Sequence, residues 1–206
     1  PRIDYTDSED GVFLLEKAAT NLLPYSEDFS NSGWTKNNTT VIGGFKSPDG
    51  NLNAYKITDN SNINKHGIYD LDVLPQDSNI YTRSVFVKKG TARYVVLSVR
   101  HIPTSEGASW IYDFDINNWV LKGSNGVGQS IKDYGDGWIR LSISHISDSN
   151  FHNDFSIGIS SGVTISDATY SGIGDTLYVY GAQIELGNVA SSYIPTQGNP
   201  QTRVQE

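Results

Sequence analysis

The sequence predicts an all-β fold, two antiparallel sheets packed as a sandwich, and three observations carry that prediction. Short runs of alternating apolar and polar residues recur along the chain, clusters of turn-forming residues separate them, and helical periodicity is nearly missing. Strands are expected near residues 54–57, 67–73, 80–88, 94–101, 109–115, 119–122, 129–134, 138–145, 155–160 and 177–185. Turns fall at Ser47-Pro48-Asp49-Gly50, Lys89-Gly90, Asn117-Asn118 and Gly135-Asp136-Gly137, with a Gly-rich loop from Gly123 to Gly128. The one helical candidate, Leu14 to Ala19, is too short to stand alone and runs straight into Asn21-Leu22-Leu23-Pro24.

Alternation assigns faces. Val95, Leu97 and Val99 point one way, and Tyr94, Val96, Ser98 and Arg100 the other. Ile139, Leu141 and Ile143 form a second aliphatic row, opposite Trp138, Arg140, Ser142 and Ser144. The two aliphatic rows are expected to bury against each other or against their sheet partners. Trp110, Tyr112 and Phe114 share a face of a third strand.

Composition bounds the rest. The 206 residues suit one sandwich domain, and a chain of that length can build a core without disulfides, which zero Cys rules out. A net charge of −8 opposes nucleic-acid binding, which needs a basic patch. No run of 18 apolar residues is present, so membrane insertion by a helix is not expected. The chain opens at Pro1 and contains no Met, which points to a fragment of a larger extracellular or virion protein. Residues 1–20 read as an extended N-terminal segment, 21–195 as the sandwich, and 196–206 as a polar linker.

The order of motifs resembles that of a known family. Asn21-Leu22-Leu23 with Phe29 and Gly33-Trp34, then Tyr81 to Lys88, then Gly135-Asp136-Gly137-Trp138-Ile139-Arg140, then Val179 to Glu185, resemble the jelly-roll carbohydrate-binding modules of the family 4, 9 and 22 type. The flanks Pro1-Arg2-Ile3-Asp4-Tyr5 and Ser192-Tyr193-Ile194-Pro195-Thr196 resemble those around such modules in bacteriophage tail fibres and tailspikes. The resemblance implies a jelly roll, a cell-surface polysaccharide or glycan as partner, a virion setting, and neighbouring copies of the same chain, as in a fibre homotrimer. It also implies a structural calcium shared by the first and last strands. Glu27, Asp28 and Glu185 would be its oxygen ligands, and no EF-hand spacing is present.

Twelve Tyr, seven Phe and four Trp are the main chemical feature. Flat aromatic faces stack on the C–H patches of sugar rings, and nearby Arg, Asn or Asp bind hydroxyls. Tyr94, Arg100, Trp138 and Arg140, on the non-aliphatic faces of two strands, are expected to share a ligand surface that Trp110 and Tyr112 can join. Trp34 reads instead as a core or edge plug. Catalysis finds little support. Asp113 and Asp115 lie about 7 Å apart on one strand face, a spacing open to glycoside hydrolysis but more simply that of surface acids. His66, His101, His145 and His152 show no metal-binding spacing. A non-catalytic adhesion module is therefore expected. A purely structural or trimerising fibre module is the alternative, and a polysaccharide-degrading domain the weaker one.

Overall fold

The computed structural model describes residues 2–4, 12–14, 16–70, 74–75, 77–99, 108–123, 126–147 and 154–205. Strands β1 (Arg2–Asp4) and β2 (Val12–Leu14) pair with each other, and β3 (Ala19–Asn21) pairs with the C-terminal strand. Then follow β4 (Trp34–Asn37), β5 (Thr39–Phe45), β6 (Ala54–Asp59), β7 (Ile63–Asp70), β8 (Ile80–Lys89), β9 (Tyr94–Val99), β10 (Ala108–Asp113), β11 (Asn118–Leu121) and β12 (Gly126–Asp133). The chain ends with β13 (Trp138–Ile146), β14 (Phe155–Ser160), one 3₁₀ turn (Ile165–Ala168), β15 (Thr169–Ser171), β16 (Thr176–Leu186) and β17 (Gln201–Arg203). That turn is the one helical element among the described residues.

Two antiparallel sheets form the sandwich expected from the alternation. One has six strands in the order β12-β13-β8-β16-β6-β5. The other runs β11-β10-β9-β14-β7-β15, with β4 also paired to β7. The two aliphatic rows face each other between the sheets. Val95, Leu97 and Val99 on β9 and Leu141 and Ile143 on β13 are fully buried in one cluster, with Ile139 packed at its margin. Trp34 and Phe29 plug the same core, with ring centroids 5.0 Å apart. Strands β1 to β5, β15 and β17 lie outside the sequence-based list. Thr39–Phe45 is half-exposed and rich in Thr and Gly, so it carries little of the apolar alternation that marks a strand.

A buried cation departs from the pattern. Arg83 stands on the inward face of β8, in line with Tyr81, Val85 and Val87, and is 1% exposed. Its Nε donates to the Asp154 carbonyl (3.0 Å), tying the six-stranded sheet to the root of β14. Burial pulls its guanidinium down to about 10, offset by the charge of Asp154. It therefore remains a cation at neutral pH.

Side-chain amides help to fasten the chain ends, beside the buried Leu23 and Ile194. Asn21, fully buried, donates to the Ala182 and Ile194 carbonyls and accepts from the Leu23 and Ile184 amides. All four capacities of its amide are used. Gln183 accepts from Ile194 N and donates to Glu185. The return segment 187–194 thereby lies on the outer face of the six-stranded sheet. β16 carries a bulge where this happens, with Gly181 at φ 57° and Ala182 N donating to the Ser26 carbonyl.

Two predictions follow from this packing. Ile157→Ala, a truncation at a fully buried position, lowers unfolding free energy by about 2–5 kcal/mol, whereas Val127→Ala at an exposed position changes it by under about 0.5 kcal/mol; denaturant titration measures both. Burial holds the Tyr180, Tyr193 and Tyr170 phenols above their usual range, reinforced by hydrogen bonds to Asp49, Glu27 and Asp59 respectively. As pH rises through the ordinary phenol range of about 10, the unfolded chain releases these protons and the folded chain keeps them. Stability from these groups is complete below that range and falls as pH rises through it. Tyr180→Phe makes the alkaline loss of stability less steep, which melts across alkaline pH detect.

Candidate functional site

The outer face of the seven-stranded sheet carries a cleft whose residues follow from the same alternation that fills the core. On β14, Ile157 and Ile159 point inward, so Ser156 and Gly158 point out. Register then extends the outward rows sideways. Ser156 pairs with Tyr69 on β7 and Ser98 on β9, and Ser98 with Ser109 on β10. Beyond Tyr69 the row continues to Thr35 on β4. Five hydroxyl-bearing residues thus stand in line across five strands, about 4.8 Å apart at each step. The hydroxyls of Ser98, Ser109 and Ser156 have no hydrogen-bond partner among the described residues.

The next row forms a floor. Asn37, Gly67, Gly158, Val96 and Ile111 lie in register. Gly67 and Gly158 are direct partners, and neither tolerates a Cβ. One on Gly67 would run into the Ile157 carbonyl, and one on Gly158 would sit 2.5 Å from the His66 carbonyl oxygen. Glycine mid-strand marks such a close approach and leaves bare backbone exposed. The resulting cavity, about 240 Å³, is lined by the hydroxyl row from Tyr69 to Ser109, by the floor from Asn37 to Val96, and by Lys65, His66 and Asp154, with Ile165 and Ala168 of the 3₁₀ turn at its rim. His66 braces that rim, its Nδ1 facing the Asn38 carbonyl (2.8 Å) and its Nε2 the Tyr170 carbonyl (3.0 Å). Among the described lining residues Asp154 is the one carboxylate, where glycoside hydrolysis employs two. The chemistry on offer is hydroxyl hydrogen bonding over a flat floor, with Tyr69 as a stacking ring.

The structure separates the residues expected to share one surface. Tyr94 does lie on the outer face of the seven-stranded sheet, one row beyond the floor, beneath the Arg93 guanidinium at 5.0 Å. Arg100 lies outside the described residues, as do His101 and His152. Trp110 and Tyr112 face inward, because β10 pairs Trp110 with Leu97 and Tyr112 with Val95. Both are 1% exposed in the core. Trp138 and Arg140 stand on the other sheet, facing away from Tyr94, so the single-surface expectation fails on topology. Trp138 packs with Ala54, Phe86 and Tyr180, and Arg140 donates to the Ser191 carbonyl and Ser84 Oγ.

The acids expected to hold calcium engage separate partners. Glu27 accepts from the Tyr180 and Tyr193 phenols, Asp28 from Ser30 and Tyr55, and Glu185 from Gln183 and the Ser191 amide. Among the described residues no group of three or more His or acidic side chains could hold a metal ion. Asp113 and Asp115 are occupied by ion pairs with Arg93 and Lys89, and Arg93 holds the Asp113 carboxyl below the usual range. The cleft residues Ser98, Ser109, Ser156, Tyr69 and the glycine pair were missed from sequence. Their signal was faint: one glycine inside each of two predicted strands.

No family model matches the chain, and no curated protein matches it. Among solved structures, it is similar to the Clostridium thermocellum xylanase 10B fragment carrying CBM22-1 and GH10 modules, complexed with xylohexaose. The identity is 15%, the TM-score 0.50, and the match covers 87% of this chain and 30% of that one. It is also similar to the CBM22-1 xylan-binding domain of Paenibacillus barcinonensis Xyn10C, at 11% identity and TM-score 0.44 over 83% of this chain and 94% of that one. A third match is the enzymatically active domain of tailspike protein 4 of bacteriophage CBA120, at 12% identity and TM-score 0.46 over 81% and 21%. The chain thus spans under a third of the xylanase fragment. The fold is that of the jelly-roll carbohydrate-binding modules.

Proposed function

We propose that this chain is a non-catalytic glycan-binding module, and that the glycan lies in the cleft of the seven-stranded sheet. The observation that carries this reading is the set of three serine hydroxyls in the row, Ser98, Ser109 and Ser156, without hydrogen-bond partners among the described residues, set beside a floor of paired glycines. Unpartnered polar groups in a cleft favour a ligand that brings its own donors and acceptors. A polysaccharide chain does so at regular intervals, and the bare floor admits a flat ring close to the backbone. The fold shared with a xylanase fragment complexed with xylohexaose agrees with a neutral, extended polysaccharide. Display on a phage tail fibre or tailspike belongs to the same reading and rests on the resemblance of the flanks around Tyr5 and Tyr193. Several copies on one particle would raise a weak contact to firm attachment.

Affinity electrophoresis through gels containing xylan, mixed-linked glucan or bacterial surface polysaccharide tests this. The parent chain is expected to be retarded by at least one of them. Ser156→Phe, which fills the cleft from the outer face, abolishes the retardation, and Tyr69→Ala weakens it about tenfold, the order of one stacking contact. Melting temperatures check that both variants fold. Equal retardation of folded Ser156→Phe and parent would rule out the cleft as the site, and no retardation of the parent by any glycan would favour a structural module.

A further inference from the structure

The opposite sheet holds a second cavity with different chemistry. It is about 160 Å³ and lies between β12, β13 and the return segment, lined by Ser130, Lys132, Tyr134, Arg140, Ser142 and Glu16 with residues 190–192. Its register is direct: Lys132 pairs with Arg140, and Ser130 with Ser142, whose hydroxyls are 2.6 Å apart. Lys132 is exposed, with its Nζ 5.6 Å above the Tyr134 ring. Arg140 is 5% exposed and stacks on Phe86 at 5.2 Å. Its Nη1 and Nη2 reach Ser191 and Ser84, and its Nε has no hydrogen-bond partner.

The charges do not balance at the mouth. Glu16 is taken up by Arg203 (3.1 Å) and by the Ser192 amide. Glu185, the carboxylate whose charge acts on Arg140, accepts at its Oε1 from Gln183 and the Ser191 amide. Lys132 has no ion-pair partner among the described residues, and it shares one cross-strand row with Arg140, in a chain whose net charge is −8. A buried cation acts over a longer range than an exposed one, because less water screens it.

We propose that this cavity is a second ligand site, taking the carboxylate of an acidic sugar unit on Lys132 and the Ser130–Ser142 hydroxyl pair, with Tyr134 flanking the ring. The buried Arg140 supplies field rather than contact, so a compact anion is favoured over a neutral sugar. The site stands independently of the cleft on the other sheet.

Titration calorimetry with glucuronate, and with glucose as the neutral control, tests it. Glucuronate is expected to bind, more weakly as salt rises, and glucose to give no heat. Lys132→Glu, at an exposed position, leaves melting unchanged and weakens glucuronate by about tenfold or more. The cleft-filling Ser156→Phe leaves glucuronate affinity as in the parent. The proposal is overturned if glucuronate gives no heat, if glucose binds equally, if Lys132→Glu binds as the parent does, or if Ser156→Phe abolishes binding.

Discussion

The register of β14 between β7 and β9 is the constraint on which the rest depends. One row across the sheet, Ile68, Ile157, Leu97 and Trp110, points into the sandwich. The rows on either side of it, one of hydroxyls and one of glycine and small apolar residues, point out. Side chains alternate with a period of two, so a slip of one residue would bury Ser98 and Ser156 and turn Ile157 to water. Core and cleft are therefore two consequences of one pairing. The large residues on the inward row supply the stability, and the small ones on the outward rows leave the space.

The other sheet solves a different problem. Its outer face is not left open, because the chain returns along it through residues 187–194. The polar residues Thr82, Ser144 and Gln183 there serve as hooks for backbone: Thr82 Oγ1 donates to the Gly187 carbonyl, Ser144 Oγ to the Asn188 carbonyl, and Gln183 Oε1 accepts from the Ile194 amide. Buried polar groups of this kind are tolerable only when satisfied, and Asn21 shows how completely this is done. The seven-stranded sheet carries comparable serines with no such cover among the described residues.

Much of the core was legible in the sequence, because Val95-Val96-Leu97-Ser98-Val99 and Ile139-Arg140-Leu141-Ser142-Ile143 each set an aliphatic row against a polar one. The site was less so. Where both rows of a strand are apolar, as in Ser109-Trp110-Ile111-Tyr112, alternation says which residues share a face but not which face is inside; the pairing of Trp110 with Leu97 decides it. Arg140 looked available because its strand alone does not reveal that Ser191, 51 residues on, lies over it. The glycine pair of the floor joins positions 91 residues apart, a relation no local pattern carries. Small polar residues also give a weak signal, since serine suits a turn, an edge or a cleft floor equally.

The proposed glycan lies across the serine row of the seven-stranded sheet. Backbone amide chemical shifts, followed while a retained oligosaccharide is titrated in, test that most directly. The shifts are expected to change at Tyr69, Ser98, Ser109, Ser156 and Gly158, with Ser84, Tyr178 and Lys56 on the other sheet unmoved. Changes confined to the six-stranded sheet, or absent from the row of serines while the ligand is bound, would contradict it.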